Sequence, residues 1–192
     1  PLPSVHPNEE HRQTTFQKLD REWAHNQPGE FHSRAMTDDD RRQVYAAYMA
    51  MVTLIDEQVG RILEALEETG QDRDTLVVFM SDHGEMLGDH GIYFKGPHFY
   101  DCQMRVPLAM RWPEGGIQSG RRVGGMVELV DLAPTLLDAA GLEVPARIQG
   151  KSLLPMLQGE DEAAYVHEQV FAEYYNSWTH GDAYGTMLRT SR

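Results

Sequence analysis

The stretch from Thr37 to Gly70 constrains this chain more than any other. TDDD at residues 37–40 offers an N-cap and an acidic first turn, suited to the positive end of a helix dipole. Tyr45, Tyr48, Val52, Ile55, Val59, Ile62 and Leu66 then recur at steps of three and four until Thr69-Gly70 stops the run, which predicts one long amphipathic helix. After a polar turn comes Leu76 to Met80, an unbroken apolar run with no alternation. Such a run reads as a central parallel strand covered on both faces. A long helix feeding a buried strand points away from all-α bundles and β-sandwiches and towards an α/β layer.

The remaining segments extend that pattern. Val106 to Trp112 suits a strand, with Pro107 at its start where a missing N–H is least harmful. GGIQSGRRVGG makes a surface excursion before Met126 to Val130, a third short strand. Asp131 is placed as the cap of a helix over LAPTLLDAA, with Pro134 in its first turn and Gly141 at its end. A short helical piece at Ser152 to Leu157 and strands at Gln169 to Tyr174 and Thr186 to Arg189 follow. Residues 1–36 show no periodicity, apart from a helical patch near Phe16, Leu19 and Trp23. The predicted fold is α/β: part of a mixed, mostly parallel sheet flanked by helices, over residues 1–160, followed at 161–192 by the start of a small antiparallel carboxyl-terminal subdomain.

Composition narrows the chemistry. The chain has 192 residues, 41% hydrophobic, enough to bury a core, but 17 basic against 30 acidic residues leave a net charge of −13. That balance opposes nucleic-acid phosphates and anionic membrane as partners, so any anion must be held by a local positive charge. No apolar stretch approaches the ~18 residues of a membrane span. PLPSVHPNEEHR lacks the pattern of a secretory signal, which leaves a soluble protein of the cytoplasm or periplasm as the expectation. The lone Cys102 excludes an internal disulfide and any C-x-x-C site. Oligomerisation is left open.

Chemistry concentrates in SDHGEMLGDHGIYFKG, Ser81 to Gly96, directly after the apolar strand. In an open α/β sheet, ligands gather beyond the carboxyl ends of strands, where Asp82 and His83 stand. A carboxylate oxygen and an imidazole nitrogen are good ligands for a divalent cation. Neighbouring strand residues point to opposite faces, so Gly84 must let the chain leave strand geometry. Lys95, one of three lysines in the chain, is placed to hold an anionic substrate oxygen or offset leaving-group charge. An Asp after a strand also serves as an N-cap or Asx-turn residue, and that structural reading stands beside the metal reading. Asp89 and His90 read as loop stabilisers through bonds to backbone. His98 and Tyr100 are candidates for the substrate entrance, Arg105 for a pair with Asp101 or Glu85, and Tyr174, Tyr175, Trp178 and His180 for an aromatic cluster. Ser81, Asp82 and His83 cannot form a hydrolase triad, because three consecutive side chains diverge. No G-x-S-x-G, Walker, HExxH or G-x-G-x-x-G pattern exists in the chain.

SDHGEMLGDHGIYFKG followed by RVPLAMRWP resembles the carboxyl-terminal signature of sulfatases and of the related phosphonate and phosphate ester hydrolases of the alkaline phosphatase superfamily. YMAMVTLIDEQVGRILEAL, VELVDLAPTLLDAAG and QGKSLLPMLQG resemble the same family in the same order, so the similarity covers roughly residues 40–160 in four blocks. The Asp-His pair with a lysine thirteen residues after the Asp is similar to the phosphonate monoester hydrolase and choline-sulfatase-like branch; many sulfatases carry Asn at the place of His83. The resemblance implies Asp82 and His83 as metal ligands and Lys95 as the active-site lysine. It implies one divalent ion, calcium first and manganese or magnesium as alternatives, and hydrolysis of a small sulfate or phosphonate ester. It also calls for a formylglycine nucleophile made from a C-x-P-S-R or C-x-A-x-R motif, which the 192 residues lack: Cys102 begins CQMRV and is read as a small buried residue beside a strand. His6 and His11 take no role. The expectation is therefore the second half of a catalytic domain, inactive alone, with a non-catalytic relative as the alternative of another class.

Overall fold

A computed structural model of the chain describes residues 2–3, 5–6, 8–15, 17–18, 32–176 and 183–190. The proposed helical patch at Phe16, Leu19 and Trp23 lies outside them, as do Trp178 and His180. Two compact units emerge: Pro1–Ile62 with His83–Val106 and Ala172–Met187, and Leu63–Asp82 with Pro107–Phe171 and Leu188–Arg192. The described α-helices are α1 (Glu9–Arg12), α2 (Asp38–Glu68), α3 (Asp101–Met104), α4 (Leu132–Ala139) and α5 (Leu154–Leu157). The strands are β1 (Val77–Met80), β2 (Leu108–Arg111), β3 (Gln169–Asn176) and β4 (Ala183–Thr190).

Helix α2 starts where TDDD places it. Thr37 Oγ1 accepts from the Asp40 amide at 3.2 Å, while Asp40 Oδ2 accepts from the Thr37 amide at 2.8 Å and from its hydroxyl at 2.6 Å. Two orphan amides are thereby satisfied reciprocally. These bonds from Thr37 hold the Asp40 carboxyl below its usual value. The far end closes on Gly70, which adopts φ 69° and sends its amide back to Glu67 O at 3.0 Å. No residue of α2 is buried, and Met49, Val52, Ile55 and Ile62 remain between 39% and 60% exposed. Caps and periodicity specify the helix locally, and covering its apolar stripe takes surface that the described residues do not supply.

In the second unit, β1 pairs antiparallel with β2, in the register Val77↔Arg111 to Met80↔Leu108. The ladder differs from the parallel, doubly covered strand expected of LVVFM: Phe79 and Met80 are 43% and 37% exposed. An apolar run states that a strand is meant for burial but not which partner lies beside it. Among the described residues β3 and β4 form the other two-stranded sheet, and no parallel ladder occurs. Ties outside the ladder fix the β1–β2 ends. Arg111 donates to Asp72 O at 2.8 Å and to its carboxylate at 3.2 Å, and the Glu114 amide donates to Arg73 O at 2.9 Å.

The third expected strand, Met126 to Val130, shrinks to a single bridge between Met126 and His167, after which Leu129–Asp131 turns as a 3-10 helix. Asp131 is the reason. Its Oδ2 accepts from the Glu128 amide at 2.8 Å and Oδ1 from the Lys151 amide at 2.8 Å, so it does not cap α4 with its side chain as expected. His167 Nε2 lies 3.0 and 2.9 Å from the two carboxylate oxygens. Asp131 is fully buried, and Thr135, one turn on, accepts from the Leu153 amide at 2.8 Å. This polar hub fastens α4 to the segment carrying α5, whose Leu154 and Met156, with Leu153 before them, form the buried apolar centre of the unit. Gly150 is required there, since a Cβ would stand 2.2 Å from Val130 O. No helix among the described residues is long and apolar enough to cross a membrane.

Candidate functional site

The segment after β1 makes no further regular ladder. Gly84 explains how it is held: its amide donates to Gln103 O at 2.8 Å, and a Cβ at residue 84 would stand 1.9 Å from Cys102 O. Glycine is needed for close backbone approach there. Its φ is not left-handed. Gly88, at φ 94°, receives the tight turn that returns its amide to Ile92 O at 2.8 Å. Met86 and Ile92 are buried beneath this loop and supply its apolar anchor. Gln103, also buried, donates through Nε2 to Gly96 O at 2.8 Å and pins the far side. No sequence pattern marks Gln103, because a single polar residue in a short helix carries no periodic signal.

Three residues other than glycine adopt positive φ among the described residues: Leu87 at 42°, His90 at 54° and Phe94 at 66°, all inside this loop. Conformations of this kind cost of order 1 kcal/mol each and persist where surrounding contacts impose them. At His90 the contacts are visible. Its Nδ1 lies 2.6 Å from Glu9 Oε1, its carbonyl accepts from Gln13 Nε2 at 3.1 Å, and its ring stacks on Tyr100 at 3.7 Å and 14°. His90 therefore braces the loop through side-chain partners as well as backbone, more firmly than sequence reasoning suggests.

His83 and Lys95 meet. His83 Nδ1 lies 2.8 Å from Gly84 O, and Lys95 Nζ lies 3.0 Å from His83 Nε2. A carbonyl oxygen only accepts, so Nδ1 carries the proton; an ammonium only donates, so Nε2 presents its lone pair. That is the tautomer of a metal-binding imidazole whose other nitrogen is oriented by a backbone carbonyl. Lys95 is exposed and His83 half-buried, leaving the pair within reach of solvent. Asp82, the last residue of its segment in the second unit, is exposed. A carboxylate and a neutral imidazole nitrogen suit a hard or borderline divalent cation. Among the described residues no group of three or more His, Cys, Asp or Glu side chains converges.

The other candidates fall as follows. His98 is fully buried, so it contributes no exposed wall. Tyr100 is engaged with His90, and burial raises its phenol above the usual value. Arg105 pairs with Asp101 at 3.4 Å, the first of the two partners expected. Tyr175 and Tyr184 meet edge to face at 5.5 Å across β3 and β4, both largely exposed. Cys102 sits in α3 and is half-buried, where the sequence suggested a buried residue. Burial, aided by Asp89, pushes its thiol up to about 11, so it stays protonated and inert at neutral pH.

Comparison with known proteins agrees with the family resemblance. The Sulfatase family model matches residues 4–142. N-acetylglucosamine-6-O-sulfatase of Bacteroides thetaiotaomicron is 39% identical over 146 residues, covering 72% of this chain and 26% of that protein. Choline-sulfatase of Rhizobium meliloti is 38% identical over 142 residues, again 72% and 26%. The crystal structure of the phosphonate monoester hydrolase of Agrobacterium radiobacter superposes with a TM-score of 0.77 at 32% identity, covering 92% of this chain and 36% of that one. The chain thus spans about a quarter of the length of these curated relatives.

Proposed function

The chain belongs to the sulfatase family, within the alkaline phosphatase superfamily, and from that premise we propose that it serves a hydrolase of small sulfate esters. The observation that carries the reading is the His83–Lys95 contact: a neutral imidazole with its lone pair presented, beside the ammonium an anionic ester needs. Asp82 and His83 are the proposed ligands of one divalent cation, with calcium first and manganese or magnesium as alternatives. When bound, such an ion supplies Lewis acidity and neutralises ester oxygens.

The protein's own residues do the rest. Gly84 O holds the proton of His83 on Nδ1, which keeps Nε2 as a donor atom of fixed direction. Lys95 binds an oxygen of the ester anion or offsets charge on the departing alkoxide. The braced loop from Gly84 to His98 fixes the backbone that carries Lys95 before substrate arrives. Cys102 is excluded as nucleophile, since its motif does not fit and its thiol is protonated. The formylglycine that the family chemistry uses has to come from outside these 192 residues, so we propose that these residues alone turn over no ester.

A second reading, hydrolysis of phosphonate monoesters or phosphodiesters, draws support from the likeness to the Agrobacterium enzyme and from the Asp-His pattern shared with that branch. One assay separates the readings. Purified protein is given aryl sulfate and aryl phosphonate esters with Ca²⁺ or Mn²⁺, alongside a protein that also carries the nucleophile motif. Saturable sulfate turnover by the longer protein, lost in Lys95→Ala, supports the first reading, and a higher kcat/KM on the phosphonate moves the assignment to the second. Turnover by residues 1–192 that Asp82→Ala abolishes would show that the nucleophile is misplaced.

A further inference from the structure

One lone pair, two claimants, defines the least expected feature of the site. His83 Nε2 has a single lone pair, and its other nitrogen is committed to Gly84 O. Lys95 Nζ sits on that lone pair at 3.0 Å. A metal ion ligated by the same nitrogen would lie about 2.0–2.5 Å from it. An ammonium and a metal ion cannot share one lone pair, and their like charges repel at such separations.

We propose that Lys95 and a divalent cation are mutually exclusive partners of His83 Nε2: the lysine guards the imidazole in the cation-free protein, and cation binding releases its ammonium to the ester anion. The inference rests on His83 being a cation ligand, as proposed above. It makes Lys95 a positioning residue in one state and a substrate contact in the other. Cation loading and anion affinity are then coupled through one side chain. The coupling is reciprocal: an anion that draws Lys95 away also favours the cation. The exposure of Lys95 and the four rotatable bonds of its side chain make the exchange sterically easy.

The test uses the metal alone. Ca²⁺ and Mn²⁺ are titrated by calorimetry into the longer protein that also carries the nucleophile motif, as wild type, His83→Ala and Lys95→Met, and Lys95 acylation is followed by mass spectrometry, with exposed Lys151 as internal reference. The proposal expects Lys95→Met to bind cation about fivefold to tenfold more tightly than wild type, the factor for one net hydrogen bond removed from the cation-free state. It also expects Lys95 acylation to rise across the same cation range while Lys151 stays constant. Tighter binding without a change in Lys95 acylation would reduce the effect to long-range repulsion and overturn the exchange. Unchanged or weaker binding in Lys95→Met, with His83→Ala still impaired, overturns the exchange and leaves the cation site standing. If His83→Ala binds as wild type does, or wild type binds no cation, the ligand assignment itself falls, and the exchange with it.

Discussion

His167 and His83 both face charged partners, and they do opposite things. His167 directs Nε2 at both oxygens of Asp131, which is fully buried and already holds two backbone amides. His83 has the ammonium of an exposed lysine 3.0 Å from Nε2. The first arrangement is buried and stabilises the fold. The second lies at the solvent boundary, where the proposed cation would compete with the lysine. An Asp near a His therefore says little by itself; what separates a structural pair from a binding site is whether the imidazole gives its proton or its lone pair.

The sharpest way to break the contrast is to remove each group and measure stability and cation affinity together. Asp131→Ala strands the amides of Glu128 and Lys151 and the His167 ring, and should lower unfolding free energy in urea by about 3–5 kcal/mol. His83→Ala should cost less than about 1 kcal/mol in the same titration, yet weaken cation binding by more than about tenfold. Equal stability losses in the two variants would end the comparison. Gly84→Ala comes next. Its Cβ would meet Cys102 O at 1.9 Å, and the forced backbone shift should destabilise by about 1–3 kcal/mol and disturb the carbonyl that orients His83. Imidazole ¹⁵N resonances report that second effect, which a purely structural glycine would not produce.

The smallest effect provides a reference remote from both histidines. Thr37→Ala should cost about 1 kcal/mol through loss of the α2 cap. In the folded chain, bonds from Thr37 hold the Asp40 carboxyl below the usual carboxylate value. The carboxylate's contribution is therefore fully present above that value and disappears as pH falls through the lower folded value. Thr37→Ala should flatten this acid limb in thermal melts below the usual carboxylate range, and leave cation binding unchanged.

The parts legible in the sequence were those set by local signals. The cap at Thr37, the stop at Gly70, the strand after Leu76 and the chemical density of residues 81–96 all depend on neighbours a few positions apart. The Asp131–His167 hub does not: its members lie thirty-six residues apart, and Asp131 looks like an ordinary helix cap until its partners are seen. Gly84 was noticed for conformational freedom and proves necessary for its missing side chain, because the carbonyl it must avoid comes from Cys102. The direction of the β1 ladder was likewise invisible, since an apolar run fixes burial and leaves pairing to the rest of the fold.

The three left-handed residues of the loop, Leu87, His90 and Phe94, bear on engineering. At Leu87 and Phe94, selection for heat resistance alone would favour glycine, trading a strained backbone for a relaxed one, whereas at His90 glycine would forfeit the Glu9 and Tyr100 contacts. A thermostabilised descendant that keeps Leu87 and Phe94 in the face of that pressure would mark them as kept for the loop's shape, and a library restricted to these positions would map how far that shape depends on them.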